Sequence, residues 1–154
     1  MNMTKSDWID VCGSWLQAQD VKNFSALEIC DVGRKSHGTK LSTPSLELLK
    51  NAAKLIRVLE WLREEDGIAP LLISSWYRNP YYNAVIGGAS KSMHMTLGAA
   101  DVVKIGRTPA EVADLLEDHP EKKLLGVGRY NSFTHVDVRG MIGRSSPARW
   151  GSNE

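Results

Sequence analysis

The chain has 154 residues, 42% of them apolar and 24% charged, which is the size and composition of one ordinary globular domain with a single core. Nineteen basic against eighteen acidic side chains leave a formal net charge of +1, so no field able to gather DNA or RNA is expected and nucleic acid is set aside as a partner. No apolar run reaches the roughly 18 residues of a membrane span, and the amino terminus has none of the apolar stretch of a signal peptide; synthesis in the cytoplasm, with export only by other means, is the expectation.

In chain order, Thr4 with Asp7 resembles a capping box, and Trp8, Val11, Cys12 and Trp15 follow at helical spacing, interrupted by Gly13. This predicts a short helix within an N-terminal extension, residues 1–23. Cys12 and Cys30 form no Cys-x-x-Cys pair and are read as buried thiols. A loop rich in Gly, Ser, Lys and His spans about 31–40, and its His37 reads as a solvated residue. Thr43-Pro44 reads as a cap and first-turn proline, after which Leu48, Leu49, Ala52, Ile56, Leu59 and Leu62 predict the longest helix, up to Glu65, with Asp66-Gly67 ending it.

The run 70–75, Pro-Leu-Leu-Ile-Ser-Ser, predicts a buried strand delivering Arg78 to its far end. Pro80 opens a short helix to about Ile86, and Gly87-Gly88-Ala89-Ser90 leads as a loop to His94. Ala99 to Lys104 is a further strand. Thr108-Pro109-Ala110-Glu111 joins an N-cap, a first-turn proline and a reciprocal glutamate, which predicts a helix over 109–118, with His119 serving the helix dipole or solvent at its end. Leu124 to Tyr130 and Phe133 to Arg139 read as a hairpin joined by Asn131-Ser132; alternation would place His135, Asp137 and Arg139 on one face. From Met141 the chain reads as irregular, with a frayed tail at 151–154.

His94, Asp101 and His135 supply two imidazoles and a carboxylate, the set by which three protein side chains hold a catalytic zinc and leave a fourth position for water. Taken without context, two histidines and one aspartate also occur by chance of composition in a chain of this length. Their context, at ends or faces of short strands and beside glycines, favours the metal.

Three separated motifs carry a resemblance. Ser75-Trp76-Tyr77-Arg78-Asn79-Pro80-Tyr81-Tyr82-Asn83 with Gly87-Gly88-Ala89-Ser90, then Ser92-Met93-His94 through Ala99-Ala100-Asp101, then Gly126-Val127-Gly128-Arg129-Tyr130 with His135-Val136-Asp137-Val138-Arg139-Gly140, resemble the zinc D-alanyl-D-alanine carboxypeptidase family. That family includes L-alanyl-D-glutamate endopeptidases and shares its fold with the hedgehog signalling domain. The resemblance covers roughly 24–150 and implies an α+β domain, a small, mostly antiparallel sheet flanked by helices, holding Zn2+ through His94, Asp101 and His135 and acting on the peptidoglycan stem peptide.

It implies further that Arg78 grips a substrate carboxylate, with a surface ion pair as the alternative, and that Ser92 contacts the substrate or the surroundings of the metal, with a local loop hydrogen bond as the alternative. Two positions depart from the family pattern: Leu97 and Trp76 stand where glycines are usual, and Trp76 is expected to narrow the substrate groove. No acid precedes His135 within 129–134. Asp137 is therefore the candidate general base, or alternatively the group that orients His135.

The expected function is hydrolysis of stem-peptide bonds, as a carboxypeptidase or endopeptidase, with a phage lysis enzyme released to the wall as the setting that the missing signal peptide favours. A zinc-stabilised binding module without turnover is the alternative.

Overall fold

The computed structural model describes residues 4–19, 21–24, 44–65, 70–78 and 80–152. His37, Cys30, Thr43 and Asp66-Gly67, named above, lie outside them. Helix α1 is Lys5–Ala18; a 3-10 turn, Leu46–Leu48, leads into α2, Leu49–Glu64; α3 is Pro80–Val85 and α4 is Pro109–Leu116. Five strands, β1 Leu71–Ser75, β2 Ala99–Lys104, β3 Gly126–Arg129, β4 Thr134–Asp137 and β5 Ala148–Gly151, form one sheet in the order β1-β2-β4-β3-β5. Every neighbouring pair is antiparallel except β3 with β5. This is the small, mostly antiparallel α+β sheet that the sequence implied.

One face of the sheet is apolar. Ala100, Val102, Val127 and Val136 join Leu55, Ile56, Leu59 and Leu62 of α2 and Val112, Ala113 and Leu116 of α4 in one core. Leu55 and Leu59 are fully buried, and truncating either to alanine should cost about 2–5 kcal/mol. Helix α1 adds Trp8, Cys12 and Leu16 to the same core. Cys12 is buried but disulfide-bonded, which replaces the reading of a free thiol there.

Local capping follows the sequence at α4, where Thr108 Oγ1 accepts from Glu111 N–H at 3.1 Å and Glu111 Oε1 accepts from Thr108 N–H at 3.0 Å. Ahead of α2 the cap is Ser45, whose Oγ accepts from Glu47 N–H, because the chain enters by a 3-10 turn and not directly as an α-helix.

Three further expectations are corrected. The hairpin loop runs over 130–133, since Arg129 already pairs with Thr134. His119 is buried edge-on against Trp61, and its Nδ1 accepts from Glu121 N–H, so it is neither dipole partner nor solvated. The irregular end is in fact strand β5, up to Gly151.

Candidate metal centre

The opposite face of the sheet is polar, and its register aligns the candidate residues. Asp101 of β2 pairs with His135 of β4, His135 with Gly128 of β3, and Gly128 with Trp150 of β5. One row therefore crosses four strands. The next row on the same face runs Ala99, Asp137, Gly126, Ala148, because side chains two residues apart on a strand share a face.

His94 arrives from outside the sheet. Ser92 caps the 3-10 turn Met93–Thr96, its Oγ accepting from His94 N–H at 3.2 Å, so the local hydrogen bond considered for Ser92 is present while the residue also lines the groove. The run after β1 grips His94 twice: Arg78 N–H donates to His94 O at 3.0 Å, and Trp76 O lies 2.6 Å from His94 Nδ1. A bulge between Ile73 and Ser75 re-aims the chain just before that run.

Both positions that depart from the family's glycines belong to this corner. Leu97 ends the turn at φ 64, a left-handed conformation that glycine adopts freely, yet its side chain is buried. Trp76 is only 3% exposed and donates Nε1–H to Leu97 O at 3.0 Å. It packs into the core and does not narrow the groove, so that expectation is corrected: the indole instead holds the carbonyl of the strained turn.

His94 Nε2 stands 3.2 Å and His135 Nδ1 3.1 Å from Asp101 Oδ1, and the donor atoms of the three residues all lie within 4.8 Å of one another. The remaining ring nitrogens fix the tautomers. A carbonyl can only accept, so His94 Nδ1 carries the proton toward Trp76 O; Asp137 Oδ2, 2.7 Å away, likewise takes the proton of His135 Nε2. With those protons on the far nitrogens, His94 Nε2 and His135 Nδ1 are free to give their lone pairs to a cation beside Asp101, and where no cation is bound a proton can bridge them to the carboxylate. Tetrahedral zinc with bonds of about 2 Å spaces its ligands by roughly 3.4 Å, close to the 3.2 and 3.1 Å that separate the two nitrogens from Asp101 Oδ1. The donor set fits zinc.

The electrostatics agree. Burial raises the Asp101 carboxyl, but hydrogen bonds to His135 and His94 together with their charges outweigh it and hold the group well below the usual carboxylate range. Burial likewise lowers His135, and the hydrogen bonds and charges of Asp101 and Asp137 override it, so its pKa is raised. The cluster favours positive charge, which a proton supplies in part and a divalent cation more fully.

Asp137 is 0% exposed and does not border the groove. Its Oδ1 accepts from Arg139 Nε at 2.9 Å and its Oδ2 from Arg139 Nη2 and His135 Nε2, both at 2.7 Å. Burial raises this carboxyl, and the hydrogen bonds and charges of Arg139 and His135 more than reverse that, leaving it well below the usual range. With both oxygens engaged, this geometry matches the orienting alternative and not the general base.

An open groove of about 490 Å3 lies above the three donors. Arg78 and Lys91 border it, and Arg78 Nη2 lies 3.6 Å from Asp101 Oδ2. Tyr130, Phe133 and Trp150 form an aromatic border, Tyr130 and Phe133 stacked with centroids 4.5 Å apart. Sequence reading missed Trp150. The available signal was the glycine pair Gly126-Val127-Gly128 inside a strand, which marks a close approach by other groups.

A family model for Peptidase M15 matches residues 22–137. A zinc D-Ala-D-Ala carboxypeptidase from Streptomyces albus G is 28% identical over 122 residues, covering 79% of this chain and 47% of the relative. The chain thus spans about half the length of the curated relative it matches. With the matched segment containing His94, Asp101 and His135 and extending over more than half of the sequence, the chain belongs to the M15 peptidase family.

Proposed function

We propose that this chain is a zinc-dependent peptidase that hydrolyses peptide bonds in the peptidoglycan stem, of the D-Ala-D-Ala carboxypeptidase or L-Ala-D-Glu endopeptidase type. The observation that carries the reading is the convergence of His94, Asp101 and His135 at the floor of a groove bordered by Arg78. A zinc ion held there supplies a water of lowered pKa and a Lewis acid for the scissile carbonyl.

The side chains divide the remaining work. Arg78, half-buried beside Asp101, offers a fork for a carboxylate of the stem peptide and orients it next to the metal donors. Asp137, itself held by Arg139, keeps His135 in the tautomer whose Nδ1 faces the metal position. Ser92 fixes the turn that presents His94.

A second reading, a zinc-stabilised binding module without turnover, has one observation in its favour: among the described residues bordering the groove, Asp101 is the only carboxylate, and it is a metal donor. Digestion of purified cell walls and of D-Ala-D-Ala peptides with zinc-loaded protein, followed by mass spectrometry of the products, separates the two. New termini within the stem support the peptidase and identify the bond; intact substrates support the module.

We also propose that the protein works outside the cytoplasmic membrane, as a lysis enzyme released to the wall would. The disulfide at Cys12 suits an oxidising compartment. Lysis of cells only when the protein is directed across the membrane is the expected result, and equal lysis without export would overturn it.

A further inference from the structure

Trp150 lies beyond residue 137, where the family match ends, yet its indole packs on a metal donor. We infer that Trp150 is a positioning residue for His135, so that strand β5 completes the metal centre; the inference rests on the reading of His135 as a zinc ligand. The His135 and Trp150 ring centroids are 5.0 Å apart at 51°.

A hydrogen bond fixes a ring along one axis only. The bond from His135 Nε2 to Asp137 sets the tautomer and the direction of the imidazole but leaves it free to rock about that line. Contact with an aromatic face removes the rocking, provided the face is itself immobile.

The indole is held from several sides. Its Nε1–H donates to Tyr130 Oη at 2.9 Å, and Arg139 Cζ sits 5.0 Å from its centroid. Arg139 is the same group that grips Asp137, so His135, Asp137, Arg139 and Trp150 close a circuit.

Two glycines make room for that circuit. A Cβ on Gly128 would lie 2.6 Å from Trp150 Nε1 and 2.7 Å from Cε2, and one on Gly126 would lie 2.5 Å from both Arg139 Nε and Asp137 Oδ2. Only bare backbone on β3 lets the indole reach across from β5 to β4. The neighbouring Arg149 secures the strand from its other face, bonding Glu117 Oε1 at 2.6 Å, Leu125 O at 2.7 Å and Lys122 O at 2.9 Å.

The test compares Trp150→Ala, Trp150→Leu, Trp150→Phe and Gly128→Ala with the wild-type chain. Zinc affinity is read by chelator competition, the cobalt-substituted absorption spectrum reports ligand geometry, and urea unfolding of the zinc-free proteins reports packing. Losing the flat face should weaken zinc binding about tenfold or more and alter the cobalt bands, as removal of an orienting partner does. Trp150→Phe should recover most of the affinity, and Gly128→Ala, which keeps the indole but displaces it, should resemble Trp150→Ala.

If Trp150→Ala does not fold, the pair Trp150→Leu and Trp150→Phe decides, since leucine fills volume without a face. Variants that lose only folding stability while binding zinc within twofold of wild type would overturn the inference. A wild-type chain that takes up no zinc would sink the metal reading itself, an outcome distinct from a chain that binds zinc but cuts nothing.

Discussion

His94 and His135 each bring one ring nitrogen to the same oxygen of Asp101, but the far nitrogen of His94 is held by a backbone carbonyl and that of His135 by a buried, arginine-paired acid. The contrast follows from the elements that carry them. A turn lying against an extended run meets backbone, so the His94 side depends on main-chain conformation: the bulge after Ile73, the left-handed Leu97, the indole of Trp76 on the Leu97 carbonyl. A strand inside a sheet has its backbone groups already paired, so the His135 side depends on side chains instead: Asp137 two residues along the same strand, and Arg139 just beyond it. The first anchor is neutral; the second raises the basicity of its imidazole.

The largest effects remove a donor. His94→Ala and His135→Ala should each abolish zinc retention after dialysis and wall hydrolysis with it, a loss beyond the roughly 10–100-fold that follows removal of an orienting partner. A variant that still retains stoichiometric zinc would show that its histidine is not a ligand.

Next comes the charged anchor. Asp137→Ala leaves Arg139 without its partner and His135 without its acceptor, which should cost about 3 kcal/mol in urea unfolding and weaken zinc about 10–100-fold. Asp137→Asn should fall in between. Full hydrolytic activity in Asp137→Ala would remove Asp137 from both roles considered for it.

On the neutral side, Leu97→Gly sets two terms against each other. Relief of the left-handed conformation is worth about 1–2 kcal/mol, whereas loss of a buried leucine costs about 2–5 kcal/mol. Packing wins, so the variant should be destabilised by roughly 1–3 kcal/mol with its zinc affinity little changed. A stabilised Leu97→Gly would mean that strain dominates at this turn.

The smallest effect is a pH dependence in the zinc-free protein. His135 has a folded pKa above its ordinary 6.5, so its contribution is fully present below that pH and is lost as pH rises through the folded value. Asp101 and Asp137 have folded values below the ordinary 3.8, so theirs is present above it and lost as pH falls through those lower values. The chelated protein should therefore melt highest between the two, and added zinc should stabilise it increasingly as pH rises and the competing proton leaves. A chelated protein whose melting temperature climbs from pH 6.5 upward would contradict the assignment for His135.

Much of the chain could be read locally. The capping box at Thr108, the apolar spacing of α2, and strands β1 and β2 announce themselves within short windows, and the three separated motifs located the donors. Strand β5 could not be read that way. Ala148–Gly151 lies at the sheet edge and is only four residues long with one large apolar side chain, Trp150, too short a window to set a periodic pattern apart from a loop. The hairpin loop was misjudged because Tyr130 and Phe133 look like strand residues, whereas they stack on each other at the groove.

By itself the sequence determined which residue types are present at which spacing, hence the helices, most strands and a two-histidine, one-aspartate donor set. Only tertiary structure decided what surrounds them: that Trp76 turns inward, that Asp101 meets both histidines, and that Trp150 packs beside His135. Spacing along a chain fixes local hydrogen bonds and faces. Burial, cross-strand contacts and ring contact depend on which strands become neighbours, and that register is set by the packing of the whole sheet.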